Sequence, residues 1–206
     1  MPRRADAALF WTTIAAVVVL DVITKALAVA YLSPMRMPHE VFGDGVRLTL
    51  VYNPGAAFGL HLGPYSRWIF MILTFAALAI LWKLYEATRP EDRWRALALA
   101  LVCGGAVGNL IDRVRSPLGV VDFIDVGIGD ARWPTFNVAD MAVSTGAFLL
   151  AWVLWGEDRD AALEDRRATA RAAAAEAREP PPREISQRDV PPREIPQREI
   201  SSPELP

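Results

Sequence analysis

Three aspartates in the second half of the chain could carry acid–base chemistry. Asp112 closes one apolar run, Asp122 lies within a short strand-like run, and Asp140 opens a further apolar run. Carboxylates that meet in a poorly hydrated place cannot all stay ionised, because like charges disfavour each other and desolvation disfavours each charge. Two carboxylates that share a proton can hydrolyse a peptide bond: the ionised one removes a proton from water while the protonated one hydrogen-bonds the scissile carbonyl. The aspartates therefore indicate water-activating chemistry without a covalent intermediate.

Amide and guanidinium side chains stand at regular spacings from these carboxylates. Asn109, Asp112 and Arg113 fall at i, i+3 and i+4, so a helix would place them on one face. Asn137 precedes Asp140 by three residues and would share a face of the next helix with it. The residues alone leave one alternative open, in which the acids only pair with Arg113 and cap helices.

Two strand-like segments would bring further residues to the carboxylates. Apolar and more polar residues alternate over Val46–Asn53, which predicts a half-buried strand, and Val120–Ile124 is an apolar run that carries Asp122. The alternating apolar positions are Val46, Leu48, Leu50 and Tyr52. A turn follows at Asn53, Pro54 and Gly55, from which Asn53 can point its amide toward the carboxylates. Taken alone, this segment is a turn followed by packing residues.

Other catalytic and metal-binding signatures do not fit the sequence. His39 and Glu40 lack the second histidine of an H-E-x-x-H motif, and no G-x-S-x-G elbow occurs. The sequence at Gly127–Asp130 matches the G-x-G-D motif of another group of membrane aspartyl proteases, but it lies in a glycine-rich loop instead of an apolar helix. With one cysteine, two histidines and no Lys/Arg block, we expect no disulfide, no metal, no cofactor and no nucleic-acid partner.

Four long apolar runs must position these residues. The first contains 24 residues, about 36 Å of helix at about 1.5 Å per residue, which exceeds a bilayer core of about 30 Å. The remaining three are of similar length. The predicted spans are Leu9–Leu32, Trp68–Ala87, Ala96–Val114 and Phe136–Trp155.

The first span carries two charges, Asp21 and Lys25, four residues apart. They can pair on one helix face, either as a structural ion pair or as part of a site, because an ionisable residue inside a span requires a partner or a function. The run also imitates a secretory signal peptide, with Ala28-Val29-Ala30 as the cleavage site. Its length and its two internal charges argue against that alternative.

Basic residues near the span ends predict the orientation, because Lys and Arg are retained on the cytoplasmic side. The bases that decide it precede the first span, separate the second span from the third, and open the tail: Arg3, Arg4, Arg89, Arg93, Arg95, Arg159, Arg166 and Arg167. Both termini are therefore predicted in the cytoplasm. Segments 33–67 and 115–135, which carry most of the unusual polar residues, are predicted to face outward.

The tail differs in composition from the membrane part. Residues 157–206 contain 12 acids and 9 bases, and the decapeptide Pro181–Val190 is repeated almost unchanged as Pro191–Ile200. Such a proline-rich charged repeat cannot bury enough apolar surface to offset its ordering entropy, so we predict disorder after a short exposed helix in the alanine-rich stretch. The predicted domains are a four-helix membrane domain, residues 1–156, and a cytoplasmic tail, residues 157–206.

The residues between 8 and 155 together resemble bacterial lipoprotein signal peptidase, the signal peptidase II family of membrane aspartyl peptidases. Five motifs carry the resemblance, in order: Asp21-x-x-Thr24-Lys25, Asn53-x-Gly55-Ala-Ala-Phe58-Gly59, Gly108-Asn109-Leu-Ile-Asp112-Arg113, Val121-Asp122-Phe123 and Phe136-Asn137-x-Ala139-Asp140. Because five motifs occur in the expected order and at suitable positions relative to the spans, accidental agreement is improbable.

The resemblance implies an all-α membrane protein with four transmembrane helices, a small extracytoplasmic β-sheet and a mobile outer segment, in the bacterial cytoplasmic (inner) membrane. It implies Asp122 and Asp140 as the catalytic pair, supported by Asp21 and Lys25. The residues implied to shape the site or bind substrate are Asn53, Gly55, Asn109, Asp112, Arg113, Asn137 and Ala139. The implied substrates are prolipoproteins within membrane lipid, cleaved before a diacylglyceryl-modified cysteine without metal or nucleotide.

Two rival functions follow from the same residues. In a small ion or proton-coupled transporter subunit, Asp21, Lys25 and Asp140 would line a path through the membrane. Such transporters usually show an internal repeat of their spans, and we find none in this sequence. The second rival is a noncatalytic assembly protein that acts through its tail.

Overall fold

The computed structural model describes residues 4–55 and 63–176. Within these residues lie four long helices, as the sequence predicts, and four strands, of which the sequence predicts the two longer ones. The helices are α1 (Arg4–Tyr31), α2 (Ser66–Glu86), α3 (Arg93–Arg115) and α4 (Val138–Glu176), and each contains a stretch long and apolar enough to cross a membrane. The strands are β1 (His39–Phe42), β2 (Val46–Asn53), β3 (Val120–Ile128) and β4 (Ala131–Arg132).

Three predicted features lie outside the described residues. They are Arg3 in the N-terminal basic pair, the Ala-Ala-Phe58-Gly59 part of the second motif, and the two decapeptide repeats at 181–200. By its internal contacts the chain divides into two units, Met1–Arg159 and Asp160–Pro206.

Helix α4 differs from its predicted span at both ends. It begins at Val138, two residues later than predicted, because Asn137 caps it. It then continues without a break to Glu176, so the alanine-rich stretch extends this helix and is not a separate short one. Alanine, arginine and glutamate are strong helix formers, and neither glycine nor proline occurs between Glu157 and Glu176.

The four strands form one antiparallel sheet in the order β1-β2-β3-β4. Leu48 pairs with Ile124, but Val51 pairs with Asp122, so β2 contains one extra residue between these pairs. The predicted half-buried strand is confirmed, but at the bulge both Thr49 and Leu50 are buried, so burial does not alternate there.

Glycines allow α3 to approach its neighbours closely. A Cβ added at Gly104 would overlap Val17 of α1, and one added at Gly108 would overlap the carboxylate of Asp21. A Cβ at Gly105 would overlap the backbone carbonyl of Ala139 in α4. Gly104 and Gly108 thus let α3 pack closely against α1, since small residues let helix backbones meet in a membrane protein.

Candidate active site

Asp122 lies in β3 and is only 3% exposed. Asn137 Nδ2 donates to its Oδ1 at 2.7 Å, and Asn53 Nδ2 donates to its Oδ2 at 3.2 Å. Both carboxylate oxygens therefore accept a hydrogen bond, as a buried carboxylate requires. The predicted direction of the Asn53 amide, toward the carboxylates, is confirmed.

Asp140 lies in the first turn of α4, where it forms a capping box with Asn137. The backbone N–H of Asp140 donates to Asn137 Oδ1 at 2.9 Å, and that of Asn137 donates to Asp140 Oδ2 at 3.2 Å. The other oxygen, Asp140 Oδ1, accepts from Asn109 Nδ2 of α3 at 2.8 Å. The i, i+3 spacing seen in the sequence thus serves the helix cap and brings the carboxylate to the site.

Three asparagine amides connect the two carboxylates, and each is oriented by a donor on its oxygen. Asn53 Oδ1 accepts from the N–H of Gly55 at 3.0 Å, and Asn109 Oδ1 accepts from Lys25 Nζ at 2.9 Å. The oxygen of Asn137 is held by the cap. With their oxygens engaged, all three amides turn their NH₂ groups toward Asp122 or Asp140. Asn137 Nδ2 also lies 3.1 Å from Asn109 Oδ1, which joins the two halves of the network.

Lys25 is the buried cation beside this network. Its ammonium lies 2.8 Å from Asp21 Oδ2 and 2.9 Å from Asp112 Oδ2, and the predicted pair of Asp21 with Lys25 is confirmed. Asp112 also accepts from the N–H of Val121 at 3.1 Å. Asp112 is therefore engaged by Lys25 and by the β3 backbone, whereas the asparagine amides serve Asp122 and Asp140.

Asp21 also ties α1 to the start of α4. Its Oδ1 accepts from the N–H of Ala139 at 2.9 Å, so a carboxylate from one span binds a free N–H in the first turn of another. Ala139 is fully buried, and its small side chain lies against Gly108. The charges of the first span are thus used in contacts between helices and do not line an open path, which argues against the transporter alternative.

Arg113 and Gly55 form the outer edge of the site. Arg113 Nη2 donates to the carbonyl of Gly55 at 2.8 Å, Nη1 donates to the carbonyl of Asn109 at 3.3 Å, and the guanidinium lies 5.7 Å from the ring centre of Phe70. These contacts hold the turn after β2 against α3. Of the alternative in which the acids pair with Arg113 and cap helices, the capping holds for Asp140. The pairing is not seen among the described residues, where the acids bind Lys25, amides and backbone N–H groups.

The pKa of Asp122 is raised from its usual 3.8 to about 7. Burial is the main cause, and the nearby negative charge of Asp140 adds to it. The hydrogen bonds from Asn53 and Asn137 and the charge of Lys25 act in the opposite direction. The raised pKa of Asp122 thus follows from its place in the interior and beside Asp140.

Both aspartates line one cavity of about 720 Å³. One wall comes from the sheet and the segment after it, namely Val51, Tyr52, Asn53, Pro54, Val120, Trp133, Pro134, Thr135 and Phe136. The other comes from α3 and α4, namely Asn109, Arg113, Met141, Val143, Ser144 and Thr145. A peptide bond in this space would meet both carboxylates.

Every site residue predicted from the sequence lies in this one network, and two further groups were not predicted. The first is Trp133–Thr135, which with Phe136 forms one wall of the cavity and carries no acid or base. The second is the pair of Asp125 and Arg132, which bond at 2.8 Å beside the sheet. Their only sequence signal is a charge within an apolar strand, at Asp125. Among the described residues, no group of three or more His, Cys, Asp or Glu is arranged to hold a metal ion.

Comparison with known proteins gives consistent matches. The family model for signal peptidase (SPase) II matches residues 13–155. The lipoprotein signal peptidase of Mycolicibacterium smegmatis is 46% identical over 155 residues, which cover 72% of this chain and 62% of that protein. The lipoprotein signal peptidase of Pelotomaculum thermopropionicum is 42% identical over 154 residues, which cover 75% of this chain and 96% of that protein. The chain therefore spans less than two thirds of the first relative and nearly all of the second.

Two solved structures share the fold. One, described as a bacterial membrane enzyme studied by the in meso method at 2.3 Å resolution, has a TM-score of 0.63 and 30% identity, and the match covers 73% of this chain and 90% of that one. The other, described in the same way at 1.9 Å, has a TM-score of 0.59 and 31% identity, with 70% and 91% coverage.

Proposed function

Because this chain belongs to the signal peptidase II family of aspartic peptidases, multi-pass enzymes of the bacterial membrane, we propose that it removes signal peptides from prolipoproteins with Asp122 and Asp140 as its catalytic pair. The cleaved bond precedes a cysteine that carries a diacylglyceryl group. One observation carries the assignment of roles: the two carboxylates, linked by shared asparagine amides, line the same cavity.

The reaction needs one proton on the pair. Asp140 removes a proton from a bound water, whose oxygen attacks the scissile carbonyl carbon, while Asp122 donates its proton to the carbonyl oxygen. In the resulting gem-diol, Asp140 passes its new proton to the amide nitrogen as the C–N bond breaks. Asp122 recovers a proton from a hydroxyl of the gem-diol. The products are a carboxylic acid and an amine, and both aspartates return to their starting states.

The difference in burial supports this division of roles, since each of the two aspartates accepts two hydrogen bonds from N–H groups. Asp122 is buried and its pKa is raised, which suits the group that starts with the proton. Asp140 is only partly buried and lines the same cavity. Asn137 contacts both aspartates and can stay bonded as the proton moves between them.

The cavity also suits a lipid-modified substrate. Its helical wall includes Met141, Ser144 and Thr145, which lie within the membrane-spanning part of α4. An acyl chain contributes about 0.8 kcal/mol per buried CH₂ to membrane binding, so the substrate is concentrated in the bilayer before it meets the site. Recognition of the peptide sequence can then be modest.

The proposed roles are tested with Asp122→Asn and Asp140→Asn in purified enzyme acting on a diacylglyceryl-modified precursor peptide. Each variant should lose cleavage while it still inserts and folds, because the amide has the same shape but cannot exchange a proton. The double variant should be no worse than either single one, since residues that act as a unit are non-additive. Asp130→Asn, an exposed aspartate in the turn after β3, is the matched control and should cleave normally. Substantial turnover by either single variant would remove that residue from the pair.

A further inference from the structure

A second charge cluster, partly buried, lies on the sheet, outside the network of the aspartate pair. We call it the clasp; it consists of Asp44, Thr49, Asp125 and Arg132. Arg132 Nε and Nη2 both lie 2.8 Å from Asp125 Oδ1, and Nη2 donates to the Asp125 carbonyl at 3.0 Å. Arg132 Nη1 donates to the Asp44 carbonyl at 2.6 Å, and Thr49 Oγ1 donates to Asp125 Oδ2 at 3.0 Å. The clasp therefore joins β2, β3, β4 and the turn between β1 and β2.

A contribution to the stability of the fold does not by itself explain why these residues form such a cluster. Asp125 is 8% exposed, and removing two charges from water costs free energy that a buried ion pair often only just recovers. An apolar pair of similar volume would hold the strands together as well. What the arginine adds is fixed geometry, because its planar guanidinium bonds in only a few directions. The clasp is thus suited to setting the position of whatever is attached to Arg132.

The cavity wall Trp133–Phe136 follows Arg132 directly in the chain. Backbone hydrogen bonds hold both ends of this wall to β3. The N–H of Trp133 donates to the carbonyl of Val126 at 2.8 Å, and the N–H of Phe136 donates to the carbonyl of Ile124 at 3.0 Å. The wall then leads directly into Asn137. Trp133 is 60% exposed and lines the cavity, so a large ring stands at the cavity rim beside the clasp.

We propose that Asp125 and Arg132 are positioning residues for the substrate, which hold Trp133 where the peptide part of the precursor lies against it. The proposal rests on the function proposed above. The peptide is favoured over the acyl chains as the group on this wall, because the wall belongs to the sheet whereas the opposite wall belongs to a membrane-spanning helix. An extended peptide beside an aromatic rim gains apolar contact without needing a defined sequence.

The clasp has no direct bond to either catalytic carboxylate, so its loss should affect binding more than chemistry. We expect Arg132→Gln to raise KM for a diacylglyceryl peptide about tenfold and to change kcat by less than about threefold. Arg132→Lys should behave like Arg132→Gln, because lysine keeps the charge and loses the planar fork. Arg36→Gln, an exposed arginine that precedes β1, is the matched control and should change neither constant.

A double-variant cycle separates positioning of Trp133 from general support of the fold. If Arg132 acts through Trp133, then Trp133→Ala raises KM by a similar factor, and the double variant is no worse than Trp133→Ala alone. Additive effects, or a fall in kcat with unchanged KM, would overturn the proposal. If Arg132→Gln does not fold, Arg132→Lys and Asp125→Asn take its place in the cycle with the same criteria. Failure of the wild-type enzyme to cleave would instead count against the proposed function.

Discussion

At the scale of single residues, the site depends on which way three side-chain amides point. Asn53, Asn109 and Asn137 each have an oxygen engaged by a fixed donor and an NH₂ group turned toward a carboxylate. An amide without such a donor could rotate and present its oxygen to a carboxylate, which would repel it. The donors are a backbone N–H in two cases and Lys25 in the third. The hydrogen bonding of Asp122 and Asp140 therefore depends on these donors as well as on the amides themselves.

The raised pKa of Asp122 predicts how activity depends on pH. If the protonated form donates to the scissile carbonyl, kcat/KM falls as the pH rises through about 7. The bond from Asn53 lowers this pKa by favouring the ionised form, so Asn53→Ala should move the alkaline limb to higher pH. The measurement is a pH profile of kcat/KM, with Asp130→Asn as control. If the alkaline limb of the Asn53→Ala profile moved to lower pH, Asp122 would not be the proton donor.

Unfolding measurements check the same pKa without catalysis. Since the folded value is raised above the usual 3.8, the folded form binds the proton more tightly than the unfolded chain. Stability from this group is therefore complete below about pH 4 and is lost as the pH rises to about 7. Asp122→Asn removes that loss, so its Tm advantage over the wild type should grow between these values and then level off. A constant difference across this range would argue against the raised pKa.

Lys25 and Lys83 offer a matched comparison of a buried and an exposed cation. Lys25 holds Asp21 and Asp112 in the interior, whereas the Lys83 side chain is 80% exposed beside Glu86. Lys25→Gln leaves buried carboxylates without their cation and should cost about 3–5 kcal/mol of unfolding free energy. Lys83→Gln should cost less than about 1 kcal/mol. Chemical unfolding in detergent measures both, and equal losses would show that the buried cation has no special role.

At the scale of elements, the bulge in β2 and the cap of α4 bring the site together. Cross-strand partners in an antiparallel pair point to the same face, so Val51, opposite Asp122, shares its face. Asn53, two residues later, shares that face as well. If the same strand paired regularly from Leu48 onward, without the bulge, Leu50 would lie opposite Asp122 and Asn53 would point to the opposite face, since a shift of one residue reverses every side chain. The bulge thus allows Asn53 to reach Asp122.

Helix α3 lies closely against α4 at Gly105. Alanine at this position should therefore destabilise the protein, whereas alanine at an uncrowded glycine should not. In Gly105→Ala the new Cβ meets the backbone carbonyl of Ala139, which cannot move without disturbing the cap of α4. We expect a loss of about 1–3 kcal/mol in unfolding free energy and lower activity. Gly156→Ala is the control, because a Cβ there meets nothing within 4 Å, and it should be neutral or stabilising by up to about 1 kcal/mol. A tolerated Gly105→Ala would show that the helices can separate at little cost.

At the scale of the whole molecule, the distribution of charge sets the orientation that the proposed function needs. Arg89 in the connection between α2 and α3 and Arg93 and Arg95 in the first turn of α3 lie at one end of the helices, while the sheet lies in the two other connections. We propose that both termini are cytoplasmic and that the aspartate pair opens at the outer face, where exported prolipoproteins arrive. The physical basis is the retention of Lys and Arg on the cytoplasmic side.

This orientation is tested with reporters inserted into the connections between spans. A reporter after Arg89 should be cytoplasmic, and one at Gly129, in the turn between β3 and β4, should be external. Each position lies in a connection, so insertion leaves the spans intact. Accessibility of single cysteines to a membrane-impermeant reagent, in a variant without Cys103, gives a second measurement. An external Arg89 reporter would reverse the proposed topology.

The sequence by itself determined the four spans and both long strands, and its resemblance to a family pointed to the residues that the structure joins in one network around Asp122 and Asp140. The length of an apolar run decides whether a helix can cross a bilayer, and the helical period decides which residues share a face. The spans and the pairs of residues on one helix face can therefore be predicted from short stretches of sequence. The i, i+4 pair of Asp21 and Lys25 and the i, i+3 pair of Asn137 and Asp140 are examples.

Only the tertiary structure decided how those residues are oriented. The amide of Asn109 points at Asp140 because Lys25, 84 residues away in the chain, donates to its oxygen. The bulge in β2 is visible only against its partner strand β3, and Asp125 meets Arg132 only once the β3–β4 hairpin forms. Such features depend on contacts between elements that no local spacing encodes, since a side chain's hydrogen-bond partner is set by what packs against it.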